Sequence, residues 1–135
     1  MKKKYIFISH KYWNVNRLLL KKRLTFISDI LEDNGYKTFI YFRDVQKWVN
    51  EHSDPGIALK EALYELKKCD IILGVVYYKE ISQGMLLEYG YAKALGKKTI
   101  LLLYEKCPSP VLENLSDKVI KFKDQKDLKE KLKNI

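Results

Sequence analysis

The sequence predicts a doubly wound α/β domain whose five parallel strands lie in the order 2-1-3-4-5, and three observations carry that reading. Apolar runs of strand length alternate with stretches of helical spacing from one end of the chain to the other. Residues 70–76 run almost unbroken in apolar side chains, as a central strand covered on both faces does. The 135 residues, 47% hydrophobic and 32% charged, suit one folded unit spanning 1–135 and are too few for two. Alternating strands and helices require parallel pairing with right-handed crossovers, and five strands so connected fit this order most economically.

The elements follow in turn. Residues 4–9 alternate and are β-rich, which gives a first strand opening into the polar, aromatic stretch His10-Lys11-Tyr12-Trp13-Asn14. Over 15–34, Leu20, Leu24, Ile27 and Leu31 recur at helical spacing, and Asn34-Gly35 supplies the stop. Residues 37–42 read as a second strand, followed by a polar connection over 43–54 that is long for its kind and therefore a candidate functional loop. Asp54 is placed to cap a second helix that starts at Pro55, buries Leu59, Leu63 and Leu66, and ends at Lys68. The third strand, 70–76, leads to a third helix over 82–95 closed by Gly96; strands at 98–103 and 118–122 and a lysine-rich helix at 124–132 complete a flavodoxin-like series.

Composition narrows the function classes. No apolar run approaches the roughly 20 residues of a membrane-spanning helix. The basic, then apolar N-terminus breaks at Ser9-His10-Lys11 with no small-residue cleavage site, so a cytoplasmic protein is expected. Cys69 and Cys107 are too few and too far apart for a metal site and are expected to be reduced and structural. There is no His-Glu cluster and no phosphate-binding Lys-Ser/Thr loop, so no metal and no cofactor are expected. The net charge of +9 favours anionic partners. The lysines are nevertheless spread over several elements, so a small anionic ligand, rather than nucleic acid, is the expected partner.

In a sheet of this order, ligands bind outside the carboxyl ends of the strands where the order reverses, here between the first and third strands. The third helix begins there. Ser82 is placed to cap it, its free amides suit an anion, and Gly84 lets a ligand approach the backbone. Glu88 follows Ser82 by six residues, about 9 Å along the axis at about 1.5 Å each. One helix can thus set a phosphate at its tip and a carboxylate deeper, the spacing of a nucleotide's phosphate and sugar. The plainer alternative makes Ser82 only a cap and Glu88 a solvated residue. Against it, Glu88 stands among Leu87, Tyr89, Gly90, Tyr91 and Ala92, where an unpaired carboxylate needs a reason.

The run Asp70-Ile71-Ile72-Leu73-Gly74-Val75, then Gly84, then Glu88-Tyr89-Gly90-Tyr91-Ala92-Lys93-Ala94-Leu95-Gly96-Lys97, resembles the signature of the nucleoside 2-deoxyribosyltransferase superfamily. The likeness extends to Ser116-Asp117-Lys118-Val119-Ile120-Lys121. It implies that Glu88 attacks or stabilises the anomeric carbon while an N-glycosidic bond breaks. Six positions earlier the transferases carry an aspartate and the hydrolases of deoxynucleoside 5′-monophosphates a serine. Ser82 matches the hydrolases, and a hydroxyl donates to a phosphate that a second carboxylate would repel. The resemblance thus implies a nucleotide or nucleoside substrate with water as acceptor, and a homo-oligomer whose neighbour completes the site.

Two positions depart from that pattern. The acid that protonates the leaving base in the family falls on Ala62, with Glu61 and Glu65 beside it but on other faces of the helix. The Gly-rich turn after the first strand is replaced by Ile8-Ser9-His10-Lys11-Tyr12-Trp13. That replacement resembles the start of Toll/interleukin-receptor domains, as do Asp54-Pro55-Gly56-Ile57 and the helix glutamate. Enzymatic members of that family cleave NAD, whose cationic nicotinamide leaves without an acid. A non-catalytic nucleotide-sensing module is the alternative from a different class.

Further binding candidates come from loop position. Ser9 and His10 end the first strand; His10 is placed for phosphate or base, with a structural role as its alternative. Asp44 and Trp48 in the long connection supply an acid for sugar and a stacking aromatic. Tyr12, Trp13, Tyr77 and Tyr78 are aromatics able to stack on a base, or to serve as core and rim. Asp70, at the opposite end of its strand, reads as a cap or turn closure.

Overall fold

In the computed structural model, which describes residues 2–49 and 54–135, five parallel strands form one sheet in the order β2-β1-β3-β4-β5. The chain runs β1 (Tyr5–His10), α1 (Arg17–Asp33), β2 (Lys37–Phe39), α2 (Tyr41–Asp44), α3 (Pro55–Lys67) and β3 (Ile71–Val76). It continues through α4 (Gln83–Ala94), β4 (Lys98–Tyr104), α5 (Pro110–Leu115), β5 (Lys118–Phe122) and α6 (Gln125–Leu132). The architecture and strand order are those the sequence predicts.

Alternate strand residues feed two cores, because successive side chains point to opposite faces. Ile6, Ile8, Leu73, Leu102 and Ile120 pack against α1 and α6. Phe7, Ile72, Val76, Leu101 and Leu103 pack against α3, α4 and α5. All six residues of β3 are buried, as befits the middle of the sheet. Asp54 and Ser82 cap their helices as read, and Asn16 and Asp124 likewise accept a backbone N–H at the starts of α1 and α6. Gly35 and Gly96 take the left-handed conformation, φ 92° and 73°, just past α1 and α4. Asp70 closes the lower edge of the sheet by accepting from the Tyr5 amide at 2.8 Å. Both cysteines are buried and free.

Two local expectations are corrected. The second strand ends at Phe39 rather than Phe42, because the chain turns into α2. Asp44 accepts from the Ile40 amide at 2.8 Å, while Arg43 grips Asp44, Ser28 and Thr38 and folds the turn back onto α1 and β2. The connection between β4 and β5, to which the sequence assigns no element, contains α5, which starts at Pro110 and buries Leu112. The predicted 43–54 loop accordingly opens inside α2, and its residues 50–53 lie outside the described residues. Among the described residues no helix is long and apolar enough to cross a membrane.

Candidate active site

Strands β1 and β3 lie side by side, Ser9 opposite Gly74 and His10 opposite Val75. After β1 the chain passes to the α1 face; after β3 it passes to the α4 face. The strands' carboxyl ends therefore part above this pair and open a cleft of about 520 Å³, a size suited to a small organic ligand. Its walls come from the β1–α1 loop (Tyr12, Trp13), from α2 (Tyr41, Phe42), from α3 (Ala58, Ala62) and from α4.

Helix α4 brings the residues singled out at its start, Ser82, Gly84 and Glu88, to the cleft wall. Ser82 caps it with Oγ accepting from the Met85 amide at 3.2 Å, which leaves the hydroxyl proton for a ligand. Gly84 lines the cleft with open space where a Cβ would stand. Glu88, about one and two-thirds turns beyond Ser82, also lines the cleft, and Ser9 Oγ donates to its Oε1 at 2.6 Å. Burial raises the Glu88 carboxyl from 4.5 to about 7 against the lowering effect of that hydrogen bond.

The helix is held in this rotation from behind. Tyr89 is buried and lies across β3 at Gly74, where a Cβ would come within 3.2 Å of both its ring and Leu101. Its hydroxyl meets Ser116 Oγ, which donates to the Leu112 carbonyl. Only a glycine in β3 allows the ring so close, so Gly74 and Tyr89 together fix which face of α4 turns to the cleft.

His10 lines the cleft with Nδ1 donating to the Lys11 carbonyl at 3.2 Å. Burial pushes its imidazole down to about 4, so it is neutral at pH 7. Lys11, which no motif singled out, is the one lysine or arginine lining the cleft among the described residues. Its side chain is 13% exposed and pairs at 3.3 Å with Glu80, which is 87% exposed and stands two residues before the α4 cap. Position after β1 was the only signal that pointed toward it.

Three predicted residues stand elsewhere. The Asp44 carboxylate is occupied by the Ile40 amide and the Arg43 guanidinium, outside the cleft. Trp48 packs edge-on against Phe42, ring centroids 5.0 Å apart, with Lys21 over its outer face. Tyr78 faces Arg23, which donates to its hydroxyl at 3.3 Å on the α1 side of β3. Tyr77 stacks on Tyr104 and meets Phe122 edge-on, whereas Tyr12 and Trp13 do form cleft wall. At the position of the family acid, Ala62 is buried against the cleft, and Glu61 beside it accepts from the Tyr41 hydroxyl at 3.1 Å. Among the described residues no three His, Cys, Asp or Glu side chains stand together as metal ligands.

No family model matches the sequence, and no curated protein matches it significantly. Solved structures do. The CMP N-glycosidase BcmB of Clostridium botulinum is 25% identical and superposes with a TM-score of 0.68 over 98% of this chain and 100% of that one. A conserved protein of Enterococcus faecalis gives a TM-score of 0.75 at 13% identity over 98% and 99% of the two chains. The 2-deoxyribosyltransferase of Bacillus psychrosaccharolyticus gives 0.67 at 19% identity over 93% and 90%. The strand order, the cleft at its switch point and this likeness over the full chain support a place in the nucleoside 2-deoxyribosyltransferase-like superfamily.

Proposed function

We propose that the protein breaks the N-glycosidic bond of a nucleoside 5′-monophosphate, with Glu88 as the group at the anomeric carbon. The observation that carries this is a carboxylate raised by burial, held in a cleft by Ser9, on the same helix whose capped tip faces the cleft mouth. The likeness to a CMP N-glycosidase supports the bond type. Ser82, the free amides of α4 and Lys11 receive the phosphate, and Tyr12, Trp13 and Tyr41 flank the base.

In this reading a Glu88 oxygen bonds to C1′ as the C1′–N bond breaks and its electron pair leaves with the base. Water then attacks C1′, frees the carboxylate and yields one proton, which balances the proton the base acquires. The products are sugar 5-phosphate and free base; a second base in place of water would give transfer. Chromatography for free base after incubation with nucleoside monophosphates, nucleosides and NAD is the test. Base release that vanishes in Glu88→Gln is expected. Release undiminished by that change removes Glu88 from the reaction.

Ala62 favours one competing reading, a module that binds nucleotides without turning them over. Nucleotide binding in calorimetry with no base released from any of these substrates would select it.

A further inference from the structure

We infer that Ser9 is the positioning residue of Glu88: its hydroxyl pins Oε1 so that Oε2 is the oxygen presented to the anomeric carbon. The inference rests on the reaction proposed above. Ser9 lies 79 residues from Glu88 in sequence, on the inner strand β1, and is 1% exposed. A hydroxyl that buried is not a substrate-binding group, which revises the expectation from its loop position. Its hydrogen bond to Oε1, at 2.6 Å, has the length of one made to a charged acceptor. Among the described residues every buried side-chain polar atom has a partner, and Oε1 is the Glu88 oxygen that has one from the protein. Oε2 is therefore the oxygen open to the cleft that Glu88 lines.

The backbone enforces this arrangement. Ser9 is registered opposite Gly74, and Gly74 admits the Tyr89 ring that sets the rotation of α4. Serine on β1, glycine on β3 and the Glu88-Tyr89 pair on α4 thus form one device, with two chain-distant strands fixing one helix. A carboxylate free to turn would offer either oxygen and lose part of each encounter to misalignment.

A hydrogen bond to the charged form also makes the carboxylate easier to ionise. The groups around Glu88 leave that effect legible. From β1, His10 is neutral at pH 7. At the rim, Lys11 and Glu80 neutralise one another. The residues that α3 turns to the cleft are Pro55, Ala58, Leu59 and Ala62, all uncharged. From β3 and β4, Gly74 and Leu101 bring no charge, and on α4 itself the Tyr89 phenol is held up by burial.

The experiment compares wild type, Ser9→Ala and the near-isosteric Ser9→Cys. The Glu88 carboxyl is titrated by NMR in ¹³C-glutamate protein, with Glu88→Gln to assign the signal, and base release is followed against pH. In Ser9→Ala the titration and the acid limb of kcat/KM are expected to rise together by roughly one pH unit, with about a tenfold loss of base release below the limb. Ser9→Cys, a weaker donor, falls between. An unmoved titration in both folded variants overturns the inference, as does a purely KM effect with the pH limb in place. A titration that moves while no substrate releases base leaves Ser9 as the holder of Glu88 and sinks the proposed reaction instead.

Discussion

At the scale of single residues, Glu88 carries a cost that stability measurements can read. Its carboxyl is raised to about 7 from 4.5, so the folded protein holds that proton more tightly than the unfolded chain does. The stability this contributes is complete below pH 4.5 and is lost as pH rises through 7. Glu88→Gln is therefore expected to raise the melting temperature at pH 8, by the equivalent of about 1–3 kcal/mol, and to leave it unchanged at pH 4. Activity runs the other way: base release should climb between pH 6 and 8 as the carboxylate forms, then level off. Lys11 gives a second prediction. Its Glu80 partner is almost fully exposed, so a phosphate can replace it at little cost. Lys11→Met should raise KM for a nucleoside monophosphate about tenfold and leave turnover of the matching nucleoside unchanged, a comparison that initial rates settle. Neither the Ser9–Glu88 nor the Lys11–Glu80 contact was legible in the sequence, since their members stand 79 and 69 positions apart and meet only once the sheet order is known.

At the scale of elements, the legible parts are those whose causes are local. The α4 start was readable because a cap, a glycine and a carboxylate sit within seven residues of chain. Helix α2 was not, because Tyr41 and Phe42 are strand-favouring residues in a strand-like run. What bends them into a turn is the Arg43 fork onto Asp44, Ser28 and Thr38, and that same fork spends the Asp44 carboxylate read from sequence as a ligand. Further on, Lys47 and Trp48 take left-handed backbone, φ 55° and 62°, and send the indole to Phe42 instead of the cleft. Helix α5, only six residues long, offers too short a period to detect. The close approach of α4 to β3 yields a sharper prediction. Gly74→Ala places a methyl within 3.2 Å of Tyr89 and Leu101, both buried, so the neighbours must shift. A loss of about 1–3 kcal/mol in urea unfolding is expected. Because Tyr89 sets the rotation of α4, base release should fall further than stability does.

At the scale of the whole molecule, parallel strands place every start at one edge and every finish at the other, and the cleft takes the second. That overall plan was legible because periodicity and connection rules leave few alternatives. The net charge of +9 favours anionic partners, but the lysines behind it are spread over several elements. Lys37, Lys98 and Lys118 among them are the exposed first residues of β2, β4 and β5, at the edge away from the cleft. A six-residue strand spans about 20 Å, some two Debye lengths at physiological salt. Those lysines are electrically out of hearing of the cleft, which Lys11 lines. Raising salt from 50 to 500 mM should thus cost a phosphorylated substrate only a few-fold in kcat/KM, and replacing all three edge lysines by glutamine should leave that dependence unchanged. Changes at the far edge, by tagging, attachment to a surface or altered charge, are accordingly expected to leave the electrostatics of the cleft at the opposite rim undisturbed.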